Sequence, residues 1–409
     1  MHKKNLKKTK VAVIGTVGIP AKYGGFETLA EHLARHMAHD FQLYVYCTKT
    51  KYPKAQRQKT FLGAKLIYLP MDANGISSIF YDCFSILHAL FYADVLLVLG
   101  VSGGIMLPFI RWFTRKKIIV SIDGIEWKRD KWIRPAKLYL WWAEKIAVKY
   151  SHADISDNES IQDYTAYRYK TLSNIIEYGA DHTLRITPTA KDIETYPFMS
   201  ARYAFKVCRI EPENNIHTVL AAFSRMNDWP LVMIGNWENS EYGQQLRQQY
   251  SEHQSITLLD PIYDQAGLDL IRGNASLYVH GHSAGGTNPS LVEAMYLALP
   301  VLAFHVSYNK TTTERNAWYF STEEDIVRIV QSLTPQDLRE KALQMKEIAD
   351  RRYTWEIIAK KYIFLIRRAL DISRKAKIKP NASNLNAGTL LNMDMGHLIN
   401  PSYFYENEK

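Results

Sequence analysis

Residues 280–295 read HGHSAGGTNPSLVEAM and lie between an apolar run and a helix-forming segment. Asn288 or Ser290 can cap a helix, and Pro289 suits the first helical position. A helix begun in this way directs backbone N–H groups and the positive end of its dipole toward whatever lies in front of it. The stretch therefore predicts the end of a strand, a glycine turn and the start of a helix.

Two interpretations of this helix start remain open. Gly285 and Gly286 carry no side chains, so an anionic ligand such as a diphosphate could approach the helix closely. Alternatively, Ser290 and Glu293 have the spacing of a capping box, in which Glu293 satisfies only its own helix end. The local pattern alone does not choose between a ligand site and a cap.

The composition indicates a globular protein of several domains. A chain of 409 residues with 47 % hydrophobic residues is expected to form two or three cores. Cys47, Cys83 and Cys208 lie far apart and lack the spacing of a metal site or a disulfide framework, which is typical of a reducing compartment. We identify neither a secretory signal nor a transmembrane helix, and we expect a cytoplasmic protein.

Positive charge is concentrated in the first half of the chain. Residues 1–180 hold 26 Lys and Arg against 15 Asp and Glu, whereas the remainder holds 25 against 26. Such an excess favours an anionic partner, which can be a membrane surface, a nucleic acid or a phosphorylated substrate. Because no nucleic-acid-binding motif accompanies the excess, we do not expect a nucleic-acid partner.

The first half alternates strand and helix patterns. The apolar strand 10–15 leads into a glycine-rich loop that ends at Gly24 and Gly25, and an amphipathic helix follows. A nicotinamide-dinucleotide enzyme opens similarly, but the G-x-G-x-x-G spacing is missing and Thr48 follows the second strand where an acidic residue is expected. The glycine pair is then either a ligand-facing loop or a plain tight turn.

The alternation restarts after residue 202. Residues 203–208, 230–235, 256–259 and 277–280 are predicted strands, and a long amphipathic helix is predicted at 354–372. The chain is therefore an α/β protein with two similar layered halves.

The segment that follows the predicted strand 117–122 combines carboxylates, cations and tryptophans. Asp123 and Glu126 lie beside Trp127, Arg129 and Trp132, at the carboxyl end of a strand, where open α/β sheets place ligands. A solvated run of charges is the alternative.

Aromatic and basic residues alternate over 107–117 and 128–149, and Arg111 and Trp112 lie in the first of these stretches. Amphipathic helices of this composition lie in an anionic lipid interface. Core packing with solvated lysines explains the pattern nearly as well.

Together these features resemble a GT-B glycosyltransferase of the large retaining family 4 over residues 10 to about 372. The segments 21–28, 123–129 and 285–293 are similar to the branch of bacterial rhamnosyltransferases that assemble capsule and O-antigen. The resemblance implies two Rossmann-like domains that face a cleft and a C-terminal helix that crosses back. It implies domains at 1–185 for the acceptor and 186–352 for the nucleotide sugar, a crossover helix at 353–374 and a disordered tail at 375–409.

The resemblance also implies roles for the residues that match the family pattern. Glu293 corresponds to the second glutamate of a paired motif that holds the ribose, and Gly285 stands where the first glutamate is expected. Arg209 corresponds to the arginine of the diphosphate site, but Asn214 replaces the lysine usually found five residues later. The remaining donor-binding candidates are the glycine pair of the first loop and the start of the predicted helix: Gly24, Gly25, Gly286, Thr287, Asn288 and Ser290.

The implied reaction is transfer of a sugar with retention of configuration, most specifically rhamnose from dTDP-rhamnose, onto a saccharide linked to polyprenyl diphosphate. Asp123 or Glu126 would orient the acceptor hydroxyl, and neither a metal nor another cofactor is expected. Trp127, Arg129, Trp132, Arg111 and Trp112 would lie on the acceptor side, at the anionic inner face of the cell membrane. The alternatives are a nucleotide-sugar epimerase or hydrolase of the same architecture and a non-catalytic scaffold for polysaccharide assembly.

Overall fold

The computed structural model describes residues 8–22, 24–122, 124–128 and 132–377. The chain divides into two compact units, the first comprising Met1–Glu177 with Trp355–Lys409 and the second Tyr178–Thr354. Among the described residues, no helix is both long enough and apolar enough to cross a membrane. We describe each unit separately.

The first unit is built on an eight-stranded sheet. The strands are β1 Lys10–Ile14, β2 Gln42–Thr48, β3 Thr60–Phe61, β4 Ala64–Leu69, β5 Val95–Leu99, β6 Lys117–Ser121, β7 Ala153–Ser156 and β8 Asn174–Ile175. Their order is β3-β4-β2-β1-β5-β6-β7-β8, and every pairing is parallel except that of β3 with β4. β1 and β5 are almost entirely buried, as expected of parallel strands that are covered on both faces.

The helices of this unit cover the two faces of the sheet. They are α1 Gly25–Met37, α2 Ser77–Ala89, α3 Leu107–Phe113, α4 Arg134–Tyr150, α5 Glu159–Tyr169 and the terminal helix, numbered α14, Trp355–Asp371. The buried residues of α2, α3 and α4 share one hydrophobic cluster with one face of the central strands. Because parallel crossovers are right-handed, these three helices form one layer, whereas α1 lies on the opposite face and packs against α14.

Two boundaries of the predicted helices in this unit are wrong. The segment predicted as helix at 107–117 ends at Phe113, and β6 already begins at Lys117. The segment predicted as helix at 128–149 begins only at Arg134, because residues Glu126–Lys128 form a 3₁₀ turn and Pro135 lies in the first turn of α4. The apolar residues 76–99 fold as a helix, α2, followed by a strand, β5.

The second unit is built on a six-stranded, fully parallel sheet. Its strands are β9 Ala204–Val207, β10 Leu231–Ile234, β11 Ile256–Leu259, β12 Leu277–His280, β13 Val301–Phe304 and β14 Trp318–Phe320, in the order β11-β10-β9-β12-β13-β14. Its helices are α6 Ala190–Thr195, α7 Ile216–Phe223, α8 Glu241–Tyr250, α9 Gln265–Gly273, α10 Pro289–Tyr296, α11 Ser307–Thr312, α12 Glu323–Ser332 and α13 Pro335–Arg352. The predicted strands of this half each match an observed strand to within one or two residues at either end.

Gly15 provides a test of how tightly the first loop is packed. Its φ is +90°, and a Cβ built on it would lie 1.9 Å from the Leu99 carbonyl oxygen. Gly75 has a φ of +62° but no atom within 4 Å of a built Cβ. Replacing Gly75 with alanine therefore measures only the energetic cost of a positive φ, without a steric clash. We expect Gly15→Ala to lower the free energy of unfolding by about 3 kcal/mol or more and Gly75→Ala by about 1 kcal/mol, measured by urea unfolding. Equal losses would show that the loop can move away from β5.

Candidate functional site

The loop between β12 and α10 ends at a helix N-terminus whose capping the structure defines. Asn288 is the N-cap residue, and Pro289 occupies the first turn. The Asn288 side-chain oxygen accepts hydrogen bonds from the Ser290 backbone N–H at 3.1 Å and from the Ser290 hydroxyl at 2.8 Å. Tyr278 in β12 donates to the Ser290 hydroxyl oxygen at 2.9 Å. The helix start is thus fixed to the strand before it, and its capping by Asn288 agrees with the sequence prediction.

Glu293 takes part in a buried ion network. The Arg272 guanidinium is fully buried and binds Asp269 at 2.6 Å and the carboxylate of Glu293. The other oxygen of Glu293 lies 3.3 Å from His182 Nε2. Because the helix begins at Pro289, Glu293 lies beyond its first turn, so the capping-box interpretation is wrong.

The electrostatics of this network keep Glu293 ionised. Burial by itself raises the pKa of a carboxyl group, but Arg272 and His182 lower the pKa of Glu293 to about 2. An ionised carboxylate can accept hydrogen bonds but cannot donate them. At neutral pH, Glu293 is therefore an ionised acceptor whose two oxygens are held by Arg272 and His182.

The loop in front of α10 has an open side at Gly285. Gly285 has a φ of +127°, and a Cβ built on it meets no atom within 4 Å. Space is therefore available, but the backbone conformation excludes other residues without strain. Thr287 is buried, with its hydroxyl 3.4 Å from that of Thr312. Gly286 lies in the loop between Gly285 and Thr287.

The loop after β9 contains the two residues that the resemblance assigns to a diphosphate. The Arg209 side chain is half exposed, and its guanidinium lies 3.9 Å from Glu211. Asn214 is turned inward, is 2 % exposed, and donates from Nδ2 to the Arg209 carbonyl oxygen at 2.6 Å. The Asn214 side chain therefore closes its own loop and contributes no charge.

Two basic residues near this edge of the sheet were not identified from the sequence. Lys206 in β9 is 1 % exposed, and His280 at the end of β12 is fully buried. A lysine within the otherwise apolar run 204–207 is the sequence signal that could have identified the first of them.

In the first unit, the glycine loop is held by carboxylates of α1. Val17 N–H donates to Glu27 at 2.9 Å, and Ala21 N–H donates to Glu31 at 2.8 Å. Gly24, at a φ of +135°, precedes the first residue of α1, Gly25, and a Cβ on Gly24 would lie 1.8 Å from the Glu27 carboxylate. The positive φ of Gly24, together with the close approach of Glu27, favours glycine at position 24.

Glu126 and Trp132 are brought together, whereas Asp123 and Arg129 lie outside the described residues. Trp132 Nε1 donates to Glu126 at 3.0 Å. Trp127 is only 3 % exposed and donates from Nε1 to the Tyr164 hydroxyl at 3.2 Å. Trp127 therefore anchors its segment in the core and does not reach the surface, contrary to what its proposed place beside a membrane requires.

Trp127 belongs to a buried network that fixes the base of this segment. Arg168 lies 5.4 Å from the Trp127 ring and 3.2 Å from Glu144, which is fully buried. Tyr164 donates to the same Glu144 carboxylate at 2.5 Å. The residues that follow β6 are thus held by a paired charge and aromatic contacts.

Arg111 and Trp112 point to different surroundings. The Arg111 guanidinium contacts His152 and the Ser373 carbonyl oxygen, so it binds the segment that follows α14. Trp112 is 67 % exposed and packs edge-on against Tyr150 at 5.5 Å.

The outer face of the layer formed by α2, α3 and α4 is unusually apolar. Twelve large apolar side chains between residues 76 and 142 are more than a third exposed: Ile76, Phe80, Phe84, Leu87, Phe91, Ile105, Phe109, Trp112, Phe113, Ile133, Leu138 and Trp142. On α4 the exposed Leu138 and Trp142 share a stripe with the exposed cations Arg134, Lys145 and Lys149. We call this surface the α2–α4 face.

Two known protein families match the chain, one in the region of each sheet. Residues 191–352 match the family described as "Glycosyl transferases group 1", and residues 8–181 match a "Domain of unknown function (DUF1972)". No curated protein matches the chain. The match of the second region supports a glycosyltransferase.

Solved structures match across nearly the whole fold. Sucrose-phosphate synthase from Thermosynechococcus elongatus is 17 % identical with a TM-score of 0.71, over 88 % of this chain and 99 % of that one. Anabaena Alr3699/HepE in complex with UDP and glucose is 13 % identical with a TM-score of 0.70, over 88 % and 100 %. An E. coli structure described as trehalose-6-phosphate with bound UDP-2-fluoro glucose is 8 % identical with a TM-score of 0.66, over 89 % and 99 %. The similarity confirms the predicted GT-B fold, with two parallel-sheet domains.

The depressed pKa of Glu293 predicts a specific pH dependence of stability. Relative to an ordinary glutamate pKa of about 4.3, the ionised form contributes stability above that pH, and this contribution is lost as the pH falls toward 2. We therefore expect Glu293→Gln to destabilise the protein at pH 7, by up to about 3 kcal/mol, and by about half as much at pH 3. Urea unfolding at both pH values measures the difference. Glu356→Gln, at an exposed position on α14, is the control, and an equal loss of stability in Glu293→Gln at both pH values would contradict the ion network.

Proposed function

We propose that this protein is a retaining glycosyltransferase that moves rhamnose from dTDP-rhamnose onto a saccharide linked to polyprenyl diphosphate. The observation that carries the proposal is the start of α10, where a capped helix N-terminus lies beside the ionised Glu293 in the region that matches group 1 glycosyl transferases. Two of the similar structures contain UDP with glucose or a fluorinated UDP-glucose, which supports a nucleotide sugar as the donor class.

The chemistry of sugar transfer accounts for these groups. The donor leaves as a nucleoside diphosphate while the sugar develops positive charge, so the site needs fixed donors at the leaving group more than a strong nucleophile. The α10 N-terminus and the Arg209 guanidinium supply such donors, and Glu293 accepts from the ribose hydroxyls. We propose that transfer proceeds on these groups without a metal ion.

The identity of the sugar rests on the resemblance and on the loop at Gly285. A glutamate at that position would offer two acceptor oxygens to sugar hydroxyls, whereas glycine offers none. A deoxysugar such as rhamnose has fewer hydroxyls to bind than glucose. The open, glycine-lined side of the loop fits that donor.

The acceptor side of the proposal rests on the first unit. Glu126, which accepts a hydrogen bond from Trp132, would orient the acceptor hydroxyl, and Asp123 is a second candidate for that role from the sequence. The α2–α4 face combines exposed aromatic residues with exposed cations, as do protein surfaces that lie in an anionic lipid interface. A lipid-linked acceptor is presented at such an interface. We therefore propose a peripheral position at the cytoplasmic face of the cell membrane, where anionic lipids concentrate.

The donor proposal is tested by a transfer assay with radiolabelled nucleotide sugars and a lipid-linked glucose or N-acetylhexosamine. We expect a labelled lipid product from dTDP-rhamnose, also in the presence of EDTA, and loss of at least about 100-fold in rate in Glu293→Ala. Transfer from a UDP-hexose but not from dTDP-rhamnose would overturn the choice of donor. Conversion of the donor without any acceptor would identify an epimerase or a hydrolase, and donor binding without turnover would identify a scaffold.

The membrane proposal predicts the effect of removing aromatic residues from the α2–α4 face. Each exposed phenylalanine that enters the interface contributes on the order of 1.5–3 kcal/mol, so the double variant Phe80→Ser/Phe84→Ser should bind anionic vesicles at least about tenfold more weakly. Phe364→Ser is the matched control, because Phe364 is similarly exposed but lies on α14, outside this layer. Sedimentation with vesicles of phosphatidylglycerol and phosphatidylcholine measures binding.

An equal loss in the Phe364→Ser control, or full binding by the double variant, would contradict this assignment. Binding to pure phosphatidylcholine vesicles as strong as binding to anionic vesicles would show that the exposed cations are not involved.

A further inference from the structure

The most unusual charged group in the second unit is Lys206. It lies in β9, between β10 and β12 near the centre of the sheet, and its side chain is 1 % exposed. Transfer of an ammonium group from water to a protein interior costs several kcal/mol unless the charge is paired. A lysine in this position therefore needs a physical reason.

No protein group of the described chain provides that reason. Among the described residues, Lys206 takes part in no ion pair and its Nζ makes no hydrogen bond. Burial lowers the pKa of Lys206, and only the neighbouring Cys208 acts in the opposite direction. The cation is thus desolvated without being compensated.

A second basic group lies on the adjacent strand, with its side chain on the opposite face of the sheet. His280, the last residue of β12, is fully buried, and its Nε2 has no hydrogen-bond partner. Its Nδ1 lies 3.4 Å from the Tyr278 hydroxyl. Burial and the nearby charge of Lys206 lower the pKa of His280 well below its usual range. His280 is therefore neutral near pH 7 and offsets none of the charge of Lys206.

The position of the Lys206 ammonium connects it to the loop in front of α10. A Cβ built on Gly281, directly after β12, would lie 2.7 Å from Lys206 Nζ and 2.2 Å from the Asn214 carbonyl oxygen. Asn215 also donates from Nδ2 to the Gly281 carbonyl oxygen at 2.8 Å. Lys206 thus reaches the carboxyl edge of the sheet, where the loops after β9 and β12 meet and where parallel sheets bind ligands.

We infer that Lys206 is the second cation of the diphosphate subsite and acts from the strand beneath the loop in place of a lysine at position 214. The inference rests on the proposed nucleotide-sugar function. Asn214 cannot supply the charge, because its side chain is neutral and bound to Arg209. With Arg209 in the loop after β9 and Lys206 in β9 itself, the subsite has two positive charges that can bind a diphosphate.

A diphosphate in this position explains the features that the protein alone leaves unexplained. Its negative charge offsets the desolvation of the Lys206 ammonium. Glycine at position 281 leaves room for the Lys206 ammonium, because a Cβ there would lie 2.7 Å from Nζ.

The test compares the binding of dTDP and thymidine by full-length variants, using isothermal titration calorimetry. Lys206→Met keeps the length of the side chain and removes the charge, so we expect dTDP to bind about 10- to 100-fold more weakly while thymidine is unaffected. Lys206→Met/Asn214→Lys restores a cation at the position where the resemblance expects one and should recover most of the affinity. Arg225→Met, at an exposed position on the same unit, is the control.

Thermal unfolding without ligand distinguishes a binding role from a structural one. Removal of an unpaired buried charge should leave the melting temperature of Lys206→Met unchanged or raise it. A lower melting temperature, or unchanged dTDP affinity in Lys206→Met, would overturn the inference. Failure of the unaltered protein to bind dTDP, UDP or any other nucleoside diphosphate would instead overturn the proposed function and, with it, this inference.

Discussion

The buried contact of Arg272 with Asp269 and Glu293 is the interaction on which the candidate site depends. Asp269 lies on α9, which precedes β12, and Glu293 lies on α10, which follows it, so one guanidinium joins the helices on both sides of the strand. Asp269 also accepts a hydrogen bond from the Leu184 backbone N–H at 3.0 Å. A buried ion pair of this kind adds little to stability compared with apolar packing, but breaking it leaves a charge without a partner. It therefore specifies geometry: the loop between β12 and α10 starts and ends at fixed points.

The sequence predicted most of the fold because its strongest signals are local. Parallel strands covered on both faces are short continuous apolar runs, and those runs located most of the long strands to within one or two residues. Capping by Asn288 was predictable for the same reason. The helix predicted from residue 128 starts at Arg134 instead, since the presence of Pro135 decided the start of α4 more strongly than the aromatic and basic pattern. The partners of Glu293 lie far away in the sequence, at His182 and Arg272, and no local pattern links these residues.

Burial was the property that the sequence predicted least well. Tryptophans among cations suggested a surface on the acceptor side, yet Trp127 is in the core and Trp112 is exposed. An aromatic ring gains by burial in a core and by contact with lipid alike, so composition cannot distinguish the two. The sheet topology does distinguish them: α2, α3 and α4 cover one face, and their outward residues remain apolar where an ordinary protein would carry charges. The basic excess of the first half lies in the same unit.

The two departures from the family pattern have a common structural explanation. Gly285 adopts a backbone conformation that a glutamate would occupy only with strain, and Asn214 is bound to the carbonyl group of its own loop. At both positions the difference therefore extends beyond the side chain to the conformation or the hydrogen bonding of the loop. Under the proposed function, the two changes have unequal consequences. A diphosphate needs positive charge, which Lys206 supplies from the neighbouring strand, whereas the sugar hydroxyls lose the glutamate oxygens with no carboxylate in their place at position 285. A site with these two changes still binds the diphosphate of the nucleotide but makes fewer hydrogen bonds to the sugar. It therefore favours a donor sugar with fewer hydroxyl groups.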